Sequence, residues 1–229
     1  MSTAYITHPS FLLHDMGPYH PECPERIGAI VERLEASGLD RRLVHHTAPS
    51  ATRDQLARVH GADYIDHIEA ASPEAGLHYL DPDTALCPHS LTAARHAAGA
   101  AVKAVDLVMS GECGSAFCAV RPPGHHAERS RAMGFCLYNN IAVAAMALRA
   151  EGAARVAIVD IDVHHGNGTQ AIFYTDPTVL FVSSHQFPFY PGTGAANETG
   201  AGPGEGYTLN VPTMSTRGSS AKISSVPLP

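Results

Sequence analysis

The chain alternates between short apolar runs and longer segments in which apolar residues recur every three or four positions. The apolar runs predict buried strands at 5–7, 115–120, 156–159, 179–183 and 208–211. The helical spacing predicts helices from about 26 to Gly38, over 52–71 with an interruption at Gly61, and over 90–109 and 141–150, with a helical turn at 171–174. The segment 72–83 is rich in Pro, Gly and Asp and is predicted to be a loop. This order of elements predicts an α/β fold with a mainly parallel sheet.

Polar residues follow the run at 156–159, where Asp160, Asp162 and His164 occupy every second position. If the strand continues through them, their side chains share one face, at the carboxyl end of the sheet where function concentrates in open parallel folds. A carboxylate beside an imidazole suits zinc, which in catalytic sites takes three protein ligands and keeps one open position. The alternative is that these acids only cap a neighbouring helix.

A second pair of candidates, His125 and His126, lies in a Pro/Gly loop after the predicted strand at 115–120. Imidazoles accept and donate protons near neutral pH. Because neighbouring strand ends converge on one crevice, we expect both histidines to lie near Asp162 and His164, with Asp160 and Asn167 orienting their rings. The alternative is a surface pair without function.

Composition limits the remaining classes. The 229 residues are 45% hydrophobic and 16% charged, which is ordinary for one globular domain. The net charge of -7 argues against a surface that binds nucleic acid, and it is compatible with a cationic substrate. Five cysteines without a CxxC pair indicate neither a disulfide framework nor a cysteine zinc site, and a reducing cytoplasm is the simplest expectation. The sequence shows no secretory signal and no run of membrane-spanning length.

Six ordered motifs make the sequence specific. They are RPPGHHA (121–127), GFCLYNN (134–140), DIDVHHGNGTQ (160–170), SSH (183–185), FYPGTG (189–194) and GPGEGYTLNVP (202–212). Together with HPECPER (20–26), they resemble the histone deacetylase superfamily over nearly the whole chain. Asn167 and the Thr-Gln pair at 169–170 are similar to its class II and bacterial branch, which borders on acetylpolyamine amidohydrolases.

The resemblance implies an arginase/deacetylase-like three-layer fold and a zinc-dependent amidohydrolase that removes acetyl groups from lysine side chains or polyamines. It implies that Asp162 and His164 bind Zn²⁺, that His126 is the general base and then the general acid, that His125 pairs with Asp160, and that Asn167 supports His126. It further implies substrate or channel positions at Gly134, Phe135, Tyr190 and Arg26, and a structural K⁺ site formed by main-chain oxygens of Asp160, Asp162 and His164 with the side chain of Ser183. Without the motifs, Phe135 and Tyr190 would be interpreted as core residues.

The sequence departs from the family pattern after Pro212. The third zinc-binding aspartate and the oxyanion-stabilising tyrosine of the family have no counterpart here, and 213–229 is small, polar and aperiodic. We therefore expect a catalytic domain at 1–212 with a disordered tail at 213–229, a fold incomplete at its C-terminus, and exposed apolar surface beside an unpaired sheet edge. The hypotheses are an enzyme, a weak or inactive truncated fragment, and an arginase-fold hydrolase with two metals. The substrate and the oligomeric state stay open.

Overall fold

Strands and helices alternate along the chain, as the sequence predicts. The computed structural model describes residues 2–213. The strands are β1 (Thr3–Thr7), β2 (Leu43–Thr47), β3 (His78–Asp81), β4 (Thr84–Leu86), β5 (Ser115–Cys118), β6 (Val156–Asp160), β7 (Val179–Gln186) and β8 (Thr208–Thr213). The α-helices are α1 (Glu25–Ala36), α2 (Arg53–Ala57), α3 (Ala62–Ala70), α4 (Ser90–Met109), α5 (Asn140–Ala150) and α6 (Asn167–Phe173). Most of the predicted tail lies outside the described residues, although Thr213 ends β8.

Two parallel sheets carry the fold. One has the strand order β2-β1-β5 and the other β6-β7-β8, while β3 and β4 form a small antiparallel pair. In the second sheet Asp160 of β6 lies opposite Ser183 of β7. Parallel strands place their carboxyl ends at the same edge, so the loops after β5, β6 and β7 carry the candidate chemistry. The prediction of a mainly parallel α/β fold is confirmed.

The Ala-rich helix α4 explains how the layers pack. Its buried side chains are mostly alanine, and they belong both to the core around β1 and to the core shared with α5. Small side chains let the helix approach neighbouring backbone closely. At Gly99 the approach is closest, because an added Cβ would lie 1.9 Å from the carbonyl oxygen of Pro49. This contact explains a glycine in the middle of a long helix, where it otherwise costs about 1 kcal/mol.

Four elements differ from the sequence prediction. The segment predicted as a loop at 72–83 contains β3, β2 and β4 were not predicted, and α6 begins at Asn167 instead of 171. Within residues 2–213, strand β2 pairs only with β1 and carries exposed Val44 and His45, so it lacks the continuous apolar run of a buried strand. Strand β3 forms a hairpin whose outer residues are exposed, and its sequence therefore resembles a polar loop.

The prediction that Asp160, Asp162 and His164 share one strand face is wrong. Strand β6 ends at Asp160. The Asp160 carboxylate accepts a hydrogen bond from the main-chain N–H of Asp162 (3.1 Å), and the Asp162 carboxylate accepts one from that of His164 (2.8 Å). Aspartate side chains that bind nearby backbone compete with strand pairing, and here they turn the chain.

A cleft separates the free edges of β5 and β6. Among the described residues β5 pairs only with β1 and β6 only with β7. The cleft has a volume of about 580 Å³ and is lined by apolar side chains that include Val120, Ile141 and Val159. Val159 is 66% exposed and no residue of β5 is buried, so the expectation that β5 and β6 are buried strands is wrong. Within residues 2–213, exposed apolar side chains and an unpaired strand edge occur together at this cleft.

No helix within residues 2–213 is both long enough and apolar enough to span a bilayer.

Candidate active site

The candidate site lies where the loops after β5, β6 and β7 meet. The ring centroids of His125 and His126 are 4.0 Å apart, and that of His164 is 6.1 Å from His126. The ring of Tyr190, from the loop after β7, stands edge-on to both His126 (5.2 Å) and His164 (5.9 Å). The structure therefore brings together residues that the sequence placed after three separate strands.

Asn167 determines which nitrogen of His126 carries the proton. Nδ1 of His126 lies 2.8 Å from Oδ1 of Asn167, whose amide nitrogen donates to Oε1 of Glu128 at 2.9 Å. Since an amide oxygen only accepts, Nδ1 donates and Nε2 keeps its lone pair. Burial, and then the neighbouring His125, lower the pKa of His126 to about 4, so the imidazole is neutral at pH 7. Glu128 is a functional neighbour that the sequence reasoning missed.

His125 is held by a carboxylate instead of an amide. Its Nδ1 donates to Oδ2 of Asp160 at 2.9 Å, and both side chains are largely buried. Burial alone would raise the pKa of Asp160, but the hydrogen bond from His125 and the main-chain N–H of Asp162 hold it below its usual value. Gly166 permits this pair, because an added Cβ would lie 2.3 Å from Oδ2 of Asp160. The hydrogen bond to Asp160 fixes the orientation of the His125 ring.

Asp162 and His164 offer a carboxylate oxygen and an imidazole nitrogen side by side. Oδ1 of Asp162 and Nδ1 of His164 are 3.3 Å apart, and the side chains are 50% and 47% exposed. These donor types fit zinc. Within residues 2–213 no group of three His, Cys, Asp or Glu side chains is arranged to hold a metal ion. Whether Asp162 and His164 bind zinc stays a prediction.

Gly134 and Tyr190, two of the predicted substrate residues, lie close to the His126 ring. Gly134 has φ +57°, and an added Cβ would lie 2.4 Å from Cδ2 of His126, so only glycine fits against this imidazole. Phe135 is partly buried, and its main-chain N–H donates to the hydroxyl of Thr84 at 3.0 Å. Burial raises the pKa of Tyr190 to about 12, and its phenol stays protonated at neutral pH. An aromatic contribution from Phe135 and Tyr190 to a substrate tunnel stays a prediction.

Arg26 and Ser183 have other surroundings. The side chain of Arg26 is 56% exposed and lies 3.8 Å from the carboxylate of Glu22, so the described residues do not enclose it in an internal channel. The hydroxyl of Ser183 is buried and lies 2.9 Å from Nδ1 of His185. The K⁺ site that the resemblance implies stays a prediction.

A buried ionic cluster behind the site was missed by the sequence reasoning. Nε and Nη2 of Arg121 each donate to one carboxylate oxygen of Glu22 at 2.6 Å, and Nη1 donates to the main-chain oxygen of Phe11. Nε2 of His14 lies 3.4 Å from the same carboxylate. Burial opposes ionisation of Glu22, but His14 and Arg121 hold its pKa below the usual value. The cluster ties the loop that carries His125 and His126 to the N-terminal segment. The one signal for this cluster in the sequence was a charged residue, Arg121, directly after the run that was predicted to be a buried strand at 115–120.

The fold and site define an α/β protein. The loops at its strand ends bring two oriented imidazoles next to a carboxylate and a third imidazole, which are donor types that fit zinc. The chain belongs to the histone deacetylase domain family, which matches residues 20–225.

Three relatives illustrate the similarity. A probable deacetylase of Archaeoglobus fulgidus is 41% identical over 93% of this chain and 59% of its own length. The polyamine deacetylase HDAC10 of Rattus norvegicus is 38% identical over 93% of this chain and 39% of its own. The crystal structure of the HDA15 HD domain superposes with a TM-score of 0.89 at 43% identity, covering 92% of this chain and 61% of that one. The chain therefore spans at most about three fifths of these relatives.

Proposed function

We propose that this chain carries the proton-transfer groups and two metal ligands of a zinc-dependent deacetylase that hydrolyses the acetyl amide of acetyl-lysine or a related acetylated amine. The observation that carries the proposal is the bond between His126 and Asn167, because it leaves Nε2 of a neutral imidazole free beside Asp162 and His164. A neutral imidazole with a fixed tautomer is the form that a general base requires. Membership of the histone deacetylase family supports the assignment.

In this mechanism Asp162 and His164 would hold Zn²⁺. When bound, zinc polarises a carbonyl group and lowers the pKa of water. His126 takes the proton of the attacking water on Nε2 and returns it to the leaving amine. Asn167 keeps the His126 ring from flipping, and Asp160 holds the neighbouring His125 ring in place through the hydrogen bond to its Nδ1. The ring of Tyr190 lies beside those of His126 and His164, where it would exclude water from the reacting carbonyl.

The acyl substrate would lie between Phe135 and Tyr190, against Gly134. Acetylation removes the charge of a lysine or polyamine nitrogen, which suits an apolar passage. The net charge of -7 accommodates a cationic remainder of either substrate. The similarity to a polyamine deacetylase supports including acetylated polyamines, and the substrate class is an outcome of the assay.

A site with two protein ligands binds zinc weakly. We therefore propose that residues 1–229 alone hydrolyse the substrate slowly. A reducing cytoplasm remains the proposed location, in line with five free cysteines.

The experiment combines zinc titration with an acetyl-substrate panel. Isothermal titration with Zn²⁺, and metal counting by mass spectrometry, are applied to the wild type, Asp162→Ala, and Asp54→Ala as an exposed control on α2. We expect at most one zinc, bound weakly by the wild type and the control and lost in Asp162→Ala. His126→Ala should remove any turnover of acetyl-lysine peptide or acetylspermidine without abolishing zinc binding. Two metals per chain would support the two-metal hydrolase instead, and zinc binding unaffected by Asp162→Ala would refute the assigned ligands.

A further inference from the structure

A largely buried polar cluster, which has no role in the proposed mechanism, supports the loop that carries Tyr190. We define the Tyr190 loop as residues 187–194 and the anchor cluster as His165, Gln170, His185 and Glu198. The loop leaves the end of β7, where the main-chain N–H of Phe187 donates to the carbonyl of Thr213 at 3.2 Å. Within residues 2–213 the hydroxyl of Tyr190 makes no hydrogen bond, so the backbone of its loop determines where the ring lies.

Glu198 holds the far end of the loop. Its Oε2 accepts the main-chain N–H of Gly194 at 3.0 Å and the side-chain amide of Gln170 at 2.6 Å. Its Oε1 accepts the main-chain N–H of Ala195 at 3.1 Å. Burial would raise the pKa of this carboxyl, but the Gln170 amide and the two backbone donors hold it below its usual value. One carboxylate therefore orients two consecutive peptide groups at the end of the loop.

His165 connects the anchor cluster to one side chain of the Tyr190 loop, that of Thr193. Oε1 of Gln170 accepts a hydrogen bond from the amide of Asn210 at 2.7 Å and lies 3.0 Å from Nε2 of His165. An amide oxygen only accepts, so Nε2 of His165 donates and its Nδ1 accepts the hydroxyl of Thr193 at 2.8 Å. Each polar atom of the Gln170 side chain thus has a partner, which specifies a single arrangement.

His185 completes the anchor from β7. Its Nε2 donates to the carbonyl of Gly194 at 2.9 Å, so its Nδ1 accepts the Ser183 hydroxyl. Gly194 packs directly on the two imidazoles, since an added Cβ would lie 2.3 Å from Nε2 of His185 and 2.7 Å from Cγ of His165. Both main-chain polar groups of Gly194 are therefore bound by the anchor cluster, four residues after Tyr190.

We propose that Glu198 is a positioning residue that holds the ring of Tyr190 against His126 and His164 by binding the peptide groups of Gly194 and Ala195. The proposal rests on the proposed function for its effect on substrate, and on geometry alone for its effect on Tyr190. Glutamine is a poor replacement, because its NH₂ group would face a hydrogen-bond donor. Aspartate keeps the charge, but it is too short to reach the Gln170 amide and both peptide groups together.

The test follows Tyr190 directly. Chains labelled with ¹³C-tyrosine are compared by NMR for the wild type, Glu198→Ala, Glu198→Asp and Glu205→Ala, with the Tyr190 signal assigned from Tyr190→Phe. Glu205 is the matched control, since it is an acid in the following turn whose carboxylate, among residues 2–213, accepts a side-chain hydrogen bond only from the hydroxyl of Thr199 at 2.8 Å. We expect the Tyr190 signal to shift or broaden in Glu198→Ala, to change less in Glu198→Asp, and to stay unchanged in Glu205→Ala. An unchanged Tyr190 signal in a folded Glu198→Ala chain overturns the proposal.

A kinetic readout separates positioning from general destabilisation. For turnover of an acetyl-lysine peptide, KM should rise about tenfold in Glu198→Ala while kcat changes less, because a displaced Tyr190 ring binds the substrate more weakly. Urea unfolding identifies variants that lose stability throughout, and if Glu198→Ala does not fold, Glu198→Asp decides the outcome. If the wild type shows neither turnover nor substrate binding, the proposed function fails, whereas the NMR comparison still decides the role of Glu198.

Discussion

The Nδ1 atom of His126 and the Oδ1 atom of Asn167 are joined by a hydrogen bond of 2.8 Å. Because the amide of Asn167 is itself tied to Glu128, the bond has one direction and leaves Nε2 of His126 free to accept a proton. The tautomer of His126 that the proposed function requires is thus determined by a side chain 41 residues away in sequence.

Removing the Asn167 side chain should allow the His126 ring to adopt both neutral tautomers. In Asn167→Ala we expect ¹⁵N NMR to show a mixture of His126 tautomers where the wild type shows Nδ1–H alone, and any deacetylase turnover to fall about 10–100-fold. Asn197→Ala, an exposed asparagine, is the control and should behave as the wild type. An unaltered His126 signal in Asn167→Ala would contradict the assignment.

Gly134 should not tolerate a methyl group. In Gly134→Ala the new Cβ meets the His126 ring and the residue stays at φ +57°, so we expect a loss of stability above the roughly 1–3 kcal/mol of backbone strain alone, together with a displaced His126 signal. Gly192→Ala is matched, because it has φ +90° and open space around the added Cβ. Urea unfolding measures both, and equal losses would show that the imidazole contact does not matter.

The buried pair of Glu22 and Arg121 should be far more sensitive than a surface pair. We expect Arg121→Met to reduce the free energy of unfolding by about 3–5 kcal/mol, since it leaves the Glu22 carboxylate buried without its main partner. Breaking the exposed pair of Arg53 and Asp66 with Asp66→Asn should cost less than about 1 kcal/mol. Similar losses in the two variants, measured by urea unfolding, would refute the distinction.

His60 should make the protein less stable in mild acid. Its Nδ1 donates to the carbonyl of Glu128 at 3.0 Å and its Nε2 accepts the N–H of Asn139 at 3.0 Å, an arrangement open only to the neutral ring. Burial lowers the pKa of His60 to about 4, against about 6.5 in the unfolded chain. Between these values the unfolded state binds more protons, so stability is lost as the pH falls from about 6.5 to 4, by about 3 kcal/mol in total.

The measurement is urea unfolding at pH 7.5 and pH 4.5 for the wild type and His60→Gln, which keeps one donor and one acceptor. The wild type should lose more stability on acidification than the variant, because the other buried histidines contribute equally to both. Identical pH dependence would show that His60 is not the group responsible.

The cleft between β5 and β6 should promote self-association. An exposed apolar strand edge is a site for pairing with another chain, and Val159 and Ile161 are 66% and 84% exposed there. We expect light scattering to show concentration-dependent association that decreases in Val159→Lys with Ile161→Lys. Val44→Lys, on the outer edge strand β2, should have a smaller effect, and an equal decrease would mean that the cleft is not the contact.

Local patterns in the sequence were sufficient for much of the fold. The alanine-rich stretch predicted α4 with the bounds that the structure has, because a buried helix of small residues repeats one pattern over many turns. The apolar runs located β5, β6, β7 and β8 for the same kind of reason. The edge strand β2 and the hairpin strands β3 and β4 escaped prediction, because β2 and β3 carry no continuous apolar signal and β4 has only three residues.

By itself, the sequence predicted which residues carry the proposed chemistry and determined that they follow separate parallel strands, because residue type and strand position are local properties. Only the tertiary structure decided how they are held: the turn from Asp160 to His164, the support of His126 by Asn167 and Glu128, the pairing of Glu22 with Arg121, and the anchor of Gly194 on Glu198. These contacts join residues from different elements, and which polar groups become partners depends on packing that brings distant segments together and removes water from between them.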